Sequence, residues 1–287
     1  MRVAMSGSHG LIGSALVKSL EADGHEVVRL SRQVSEVPGG LDAVVHLAGE
    51  GIGNRRWNEA HKRRVLESRT EGTTALARAL RQSSVLPKVL VSGSAIGFYG
   101  DRGDEVLTES SGPGADFLSE VCRAWEASTK AAEDAGIRVV HIRTGIVLSG
   151  TGGALGKQLP LFRFGLGAKL GGGRQWQSWI SLPDEVAAIR HCIDTDVLTG
   201  PVNLTAPNPV RNAEFTKALG HALHRPAVLT APAAALRAAL GKEMADELLL
   251  VSQRVAPTKL EQSGFEFQHP RLEQALAAVV PNKKGRA

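Results

Sequence analysis

The chain has 287 residues, 43% of them hydrophobic and 22% charged, with a formal net charge of +5. This balance suits a soluble globular protein of one large domain or two intimately packed ones, and no apolar run approaches membrane-spanning length. The basic residues are spread out apart from the Arg55–Arg69 segment and the Lys283-Lys284-Gly285-Arg286 tail, and no nucleic-acid-binding motif accompanies them, so no nucleic-acid partner is expected.

The first segment, Arg2-Val-Ala-Met-Ser6, reads as a short apolar strand. It runs into Gly7-Ser-His-Gly10-Leu-Ile-Gly13, a G-x-x-G-x-x-G turn, and then into a helix with Leu11, Ile12, Ala15, Leu16 and Leu20 on its apolar face. Gly7 permits the tight turn, Gly10 leaves room for a diphosphate, and Gly13 allows close helix packing. The backbone N–H groups at the helix start, around Leu11 and Ile12, then face a phosphate where negative charge is favoured. The pattern points to dinucleotide binding, against the alternative of a glycine-rich turn with no ligand. A strand that begins at Arg2 leaves no leader to remove, so no signal peptide is expected.

Gly24-His25 ends the helix, and Glu26–Leu30 reads as the second strand. NAD-binding sheets carry an Asp or Glu at its end, to accept hydrogen bonds from the adenosine ribose. This chain has Ser31-Arg32 instead. A guanidinium beside a hydroxyl suits a 2′-phosphate, so NADP(H) is expected over NAD(H), the alternative being an exposed loop arginine.

Asp42–Leu47 is the third strand, Trp57–Gln82 a long helix, Lys88–Ser92 the fourth strand, Phe117–Ala135 a helix and Arg138–Arg143 the fifth strand. The alternation predicts an α/β fold, a doubly wound parallel sheet over residues 1–150, with ligands beyond the carboxyl ends of its strands. After residue 150 the alternation weakens. Ser149–Gly153 and Gly165–Gly173 read as loops, Pro201–Thr205 as a strand, and Asn212 as the cap of a helix through Ala222. Helical stretches follow at Ala231–Leu240, Lys242–Val251 and Pro270–Val280. Residues 151–287 are expected to form a smaller substrate or cap domain, with later segments returning to the sheet. Cys122 and Cys192 have neither metal-ligand nor C-x-x-C spacing, so no metal is expected and a reducing cytoplasm is the natural compartment.

Gly7-x-x-Gly10-x-x-Gly13, Val45-His-Leu-Ala-Gly49, Val91-Ser-Gly-Ser94 and Arg143-Thr-Gly-Ile-Val147 together resemble the extended short-chain dehydrogenase/reductase superfamily, the NAD(P)-dependent sugar epimerase/dehydratase group, almost end to end. Leu47-Ala-Gly-Glu50, Arg56-Trp-Asn58, Ser68-Arg69, Phe117–Cys122, Trp125-Glu126, Trp179-Ile180 and Gly264–Phe267 narrow the resemblance to an atypical branch known as epimerase family proteins. The resemblance implies a Rossmann fold with a small C-terminal α/β substrate domain and NADP(H) as cofactor. It also implies a small-molecule substrate of undefined identity, and leaves a homodimer open. It places Leu47 and Ala48 against the adenine and diphosphate, and Arg69 near the cofactor. Arg64 on the same helix is a second cofactor candidate. Five residues is a poor repeat for one helical face, however, and a solvated surface is the alternative for both arginines.

The superfamily's usual chemistry needs a Tyr phenol and a Lys four residues later, whose ammonium lowers the phenol pKa. The single tyrosine here is Tyr99, and Gly103 stands four residues on, so the pair cannot form. On the helix that normally carries it, Leu118 and Cys122 occupy the Tyr and Lys positions, and Glu126 follows one turn later. The remaining catalytic candidates are Ser94, which matches the superfamily serine and would hold a substrate oxygen, and Tyr99, which would supply a phenolic proton from a new position. Trp176, Gln177 and Trp179 are candidates for a substrate pocket, and His9 and His46 read as orientation or packing groups. Two readings follow. One is an NADP(H)-dependent oxidoreductase or epimerase acting on a small carbonyl or nucleotide-linked substrate. The other is a non-catalytic NADP(H)-binding redox sensor. The first is slightly favoured.

Overall fold

The computed structural model describes residues 1–31, 34 and 36–280. Its centre is a six-stranded sheet in which every pairing is parallel. The strands are β1 (Arg2–Ser6), β2 (Glu26–Arg29), β3 (Ala43–His46), β4 (Val89–Ala95), and the later segments Arg138–Thr144 and Gly200–Leu204. In space the order is Gly200–Leu204, Arg138–Thr144, β4, β3, β1, β2. The chain steps outward from β1 to β2, then crosses back to β3 on the other side of β1. The crevice beyond the carboxyl ends of β1 and β3 is therefore the topological switch point, where open sheets of this kind bind ligands.

The inner strands β1, β3 and β4 are largely apolar because both faces are covered. Val3, Met5 and Val45 pack beneath α1 (Leu11–Ala22) and the helix Leu182–Asp194, through Leu16, Leu20, Ile189 and Cys192. Ala4, Val44 and Leu90 point the other way, against α2 (Glu59–Arg81) and the short helix Lys130–Asp134, through Leu76, Leu80 and Ala132. Each fully buried aliphatic side chain contributes about 1.5–3 kcal/mol relative to exposure. A third cluster gathers Leu155, Leu159, Phe162, Trp179, Phe215, Leu219 and Leu276 from segments beyond residue 150.

Several boundaries differ from the sequence reading for local reasons. The stretch expected as one helix over Phe117–Ala135 is two, α3 (Phe117–Ala127) and Lys130–Asp134. The Ser128 and Thr129 hydroxyls donate to the Ala124 and Glu126 carbonyls at 2.7 and 2.8 Å, competing with the backbone ladder at the break. Between the two glycine-rich loops lies a helix, Gly153–Arg163, unassigned from sequence, whose Leu155, Leu159 and Phe162 recur at helical spacing and are buried. Asn212 begins its helix rather than capping it: Arg211 holds the cap position, and Asn212 Oδ1 accepts from the Leu170 N–H at 2.7 Å. The expected helix Lys242–Val251 is α-helical only to Ala245 and then widens into a π-turn, Asp246–Leu250. Among the described residues no helix is long and apolar enough to cross a membrane.

Candidate active site

The three glycines of the first turn are required for different reasons. Gly7 has φ +72°, and a Cβ there would lie 2.6 Å from the Leu47 carbonyl carbon, so only glycine lets β1 and β3 close at the switch point. A Cβ on Gly13 would lie 2.2 Å from the Gly7 carbonyl oxygen. At Gly10 the nearest atom would be that same oxygen at 3.4 Å, an ordinary contact, so the protein's own packing leaves the position open. Gly10 is also the N-cap of α1, and it offers no side-chain cap; the first turn carries no acidic residue. The N–H groups of Leu11, Ile12 and Gly13 have no carbonyl one turn back to reach, and the helix dipole favours an anion before them.

In front of this turn opens a cleft of about 850 Å³, walled by Ser6–Gly10, Leu30-Ser31, Leu47–Glu50 and one face of α2. Gly7, Gly10, Ser31, Leu47 and Ala48 thus line one cavity. Leu11 and Ile12 stand beside it at the helix start and would contribute backbone groups. Arg32 lies outside the described residues. His46, on the cleft floor, meets Ser6 Oγ at 2.5 Å and Thr73 Oγ1 at 2.9 Å, and burial pushes its pKa down to about 4. It is a neutral, fixed group.

The two arginines on α2 part company. Arg64 lies on the helical face of Ser68, Glu71 and Ala75, but it is exposed and a turn short of the cleft wall. It is not among the residues that line the large cleft. Arg69 points to a different cavity. Its Nη1 donates to the Glu50 and Val65 carbonyls at 3.0 and 3.1 Å, its guanidinium sits 4.9 Å from the Trp125 ring centroid, and burial lowers its pKa. A Cβ at Gly49 would approach that guanidinium to 3.1 Å, so Gly49 leaves room for it.

That second cavity, of about 190 Å³, lies beyond β4. Ala95–Gly97, Leu118, Cys122, Trp125, Thr144–Ile146, Trp176, Gln177 and the segment around Glu247 line it. Leu118 and Cys122, at the positions of the missing pair, are therefore pocket-lining. Burial pushes the Cys122 thiol up to about 12, which keeps it protonated and uncharged. Trp176 and Gln177 reach the pocket, and Trp176 Nε1 also donates to Asp104 at 3.0 Å. Trp179 does not reach it. Its side chain is fully buried in the third apolar cluster, and its Nε1 donates to the Asn208 carbonyl at 3.1 Å.

The two expected catalytic hydroxyls are committed elsewhere. Glu126 grips Arg143 with both carboxylate oxygens, at 2.8 and 2.9 Å, and accepts the Ser94 hydroxyl proton at 2.7 Å. A hydroxyl has one proton, so Ser94 has none left to donate to a substrate oxygen. Tyr99 is fully buried; its hydroxyl donates to Asn203 Oδ1 at 2.6 Å and accepts from Arg143 Nη1 at 3.1 Å. Burial raises its pKa, and Arg143 offsets only part of that. Neither residue lines the small pocket: Ser94 and Tyr99 belong to a buried network that ties β4, through Glu126 on α3, to the strands Arg138–Thr144 and Gly200–Leu204. The pocket residue that the sequence reading missed is Glu247. It stands on the π-turn, and its Oε2 accepts from the Leu118 N–H at 3.0 Å. Among the described residues no cluster has the composition to hold a metal ion.

Residues 3–204 match the model of the NAD dependent epimerase/dehydratase family, and residues 231–279 match a domain of unknown function, DUF1731. The chain belongs to the NAD dependent epimerase/dehydratase family. A curated relative in Mycobacterium bovis, epimerase family protein Mb2239, is 46% identical, with 96% of each chain covered. The crystal structure of human epimerase family protein SDR39U1 with NADPH superposes with a TM-score of 0.92 at 36% identity, covering 97% of this chain and 99% of that one. A nucleoside-diphosphate sugar epimerase from Corynebacterium glutamicum gives 0.78 at 39% identity, covering 97% of this chain and 58% of that one. The family assignment and the parallel α/β fold agree with the resemblance read from the glycine turn and the strand-end motifs.

Proposed function

We propose that the protein binds NADP(H) in the large cleft and acts as an oxidoreductase or epimerase on a small carbonyl or nucleotide-linked substrate held in the small pocket. The observation that carries the reading is Gly10, where a side chain would meet open cleft and little protein, at an uncapped helix start on the switch point. That cradle fits a diphosphate. Leu11 and Ile12 would hold it through backbone N–H groups, Leu47 and Ala48 would wall the adenosine side, and Ser31 with Arg32 would take the 2′-phosphate. The NADPH of the human relative supports the phosphorylated form. When bound, the nicotinamide would supply a hydride donor or acceptor. The chain's own residues shape a partly apolar pocket behind it, with Arg69 as a fixed cation.

The Ser94–Glu126–Arg143–Tyr99 network favours a second reading, a non-catalytic NADP(H)-dependent sensor, because it occupies the expected proton donors. Two measurements separate the readings. Calorimetric titration should show tighter binding of NADPH than of NADH; equal affinities would remove the assignment of Ser31 and Arg32. Incubating the protein with NADPH deuterated at the nicotinamide C4 and metabolite extract should move deuterium into a product. Bound cofactor with no transfer across many extracts supports the sensor.

A further inference from the structure

The small pocket lacks a tyrosine, yet it contains a carboxyl group. The π-turn Asp246–Leu250 places Glu247, Leu248 and Leu249 together on the pocket wall. Glu247 sits against the start of α3, accepting from the Leu118 N–H at 3.0 Å, so it abuts the residue standing where the superfamily carries its phenol.

We propose that Glu247 is the acid–base residue of this pocket, exchanging a proton with the oxygen of a compact ketone or secondary alcohol. The inference rests on the oxidoreductase reading above. In the reducing direction the substrate's carbonyl carbon gains a hydride from the reduced coenzyme, which is oxidised, and the C=O π bond breaks. The oxygen takes the Glu247 proton as the carboxyl O–H breaks, and the carboxylate recovers a proton from water. The carboxyl is suited to holding that proton. Burial raises its pKa, and the nearby carboxylates of Asp116 and Glu243 add to the rise, against the two backbone N–H groups of Phe117 and Leu118 that favour the charged form. Of the other charged or titratable groups facing it, Lys62 is paired with Glu243 at 2.6 Å, and Arg69 and the protonated Cys122 lie on the pocket wall. Arg69 supplies the pocket's fixed positive charge from α2, where a lysine at position 122 would have supplied it from α3.

The test uses the whole chain, cyclohexanone as the probe ketone, and E247Q, whose amide oxygen still accepts from Leu118. With glutamate carboxyls labelled with carbon-13, the resonance absent from E247Q is that of Glu247. In protein saturated with NADP⁺ it should titrate above the ordinary carboxylate range and shift when cyclohexanone is added. A resonance that titrates in the ordinary range, or ignores the ketone, overturns the proposal without any assay of turnover. With NADPH, E247Q should lower kcat by about 10²–10⁴-fold, leaving NADPH affinity and Tm near wild type. Undiminished turnover in E247Q refutes the role of Glu247 and leaves the oxidoreductase reading standing. A shifted resonance in a wild-type protein that never reduces the ketone fails the oxidoreductase reading, and the catalytic role with it.

Discussion

Replacing Glu185 with glutamine should remove a loss of stability that grows as pH rises through neutrality. Glu185 is fully buried in the helix Leu182–Asp194. Its Oε1 accepts the Thr144 hydroxyl at 2.9 Å, while Oε2 has no partner among the described residues. Burial pushes its pKa from 4.5 up to about 8, against a smaller opposing effect of the Thr144 hydrogen bond. Between those values the native state keeps the proton and the unfolded chain releases it, so the unfolded state binds fewer protons and stability falls as pH rises. The slope is about 1.4 kcal/mol per pH unit, so the penalty reaches about 3 kcal/mol at pH 7. Glutamine keeps an oxygen for Thr144 and has no proton to lose. Its amide N–H groups add an offset that does not depend on pH, so the slope carries the test. Urea unfolding of both proteins across this range should give stability differences that diverge from pH 4.5 upward and flatten above pH 8. Parallel curves would refute the reasoning, because they would mean that Glu185 releases its proton equally readily folded and unfolded.

Other substitutions separate ligand effects from packing effects. Gly7→Ala should cost about 1–3 kcal/mol of stability, since its methyl meets the Leu47 backbone at 2.6 Å in a left-handed conformation. Gly10→Ala should melt near wild type, yet weaken NADPH binding by about 1–3 kcal/mol as the methyl intrudes on the diphosphate; calorimetry and thermal unfolding together check both. Arg32→Ala should weaken NADPH by about 1.5–3 kcal/mol, the value of a charge-assisted hydrogen bond, and leave NADH nearly unchanged. Tyr99→Phe leaves Asn203 Oδ1 without its donor and should lower stability by about 1–3 kcal/mol with cofactor affinity intact, which urea unfolding and titration would read separately.

The cofactor side of the site was legible because its requirements are backbone requirements. A turn that must bring β1 within contact of β3 needs glycine at position 7 whatever surrounds it, and the apolar runs of β1, β3 and β4 report burial on both faces. The catalytic side was not legible, because a hydroxyl's role depends on where its proton goes. Ser94 occupies the expected strand end, but its hydroxyl donates to Glu126. Tyr99 is held by Asn203, 104 residues away along the chain. Trp179 illustrates the same limit: its neighbours Trp176 and Gln177 reach the pocket, and the intervening backbone turns Trp179 into the apolar core. Glu247 gave no local signal, since its importance comes from a π-turn packed against the start of a helix 129 residues earlier.

The central claim is that the first turn cradles a diphosphate at the switch point of the sheet. A crystal structure of the protein grown with NADPH tests it most directly. The diphosphate should lie against the N–H groups of Leu11 and Ile12 over Gly10, with the nicotinamide directed toward Ala95 and Leu118. A cleft left empty at saturating NADPH, or a diphosphate bound away from Gly10, would contradict the account.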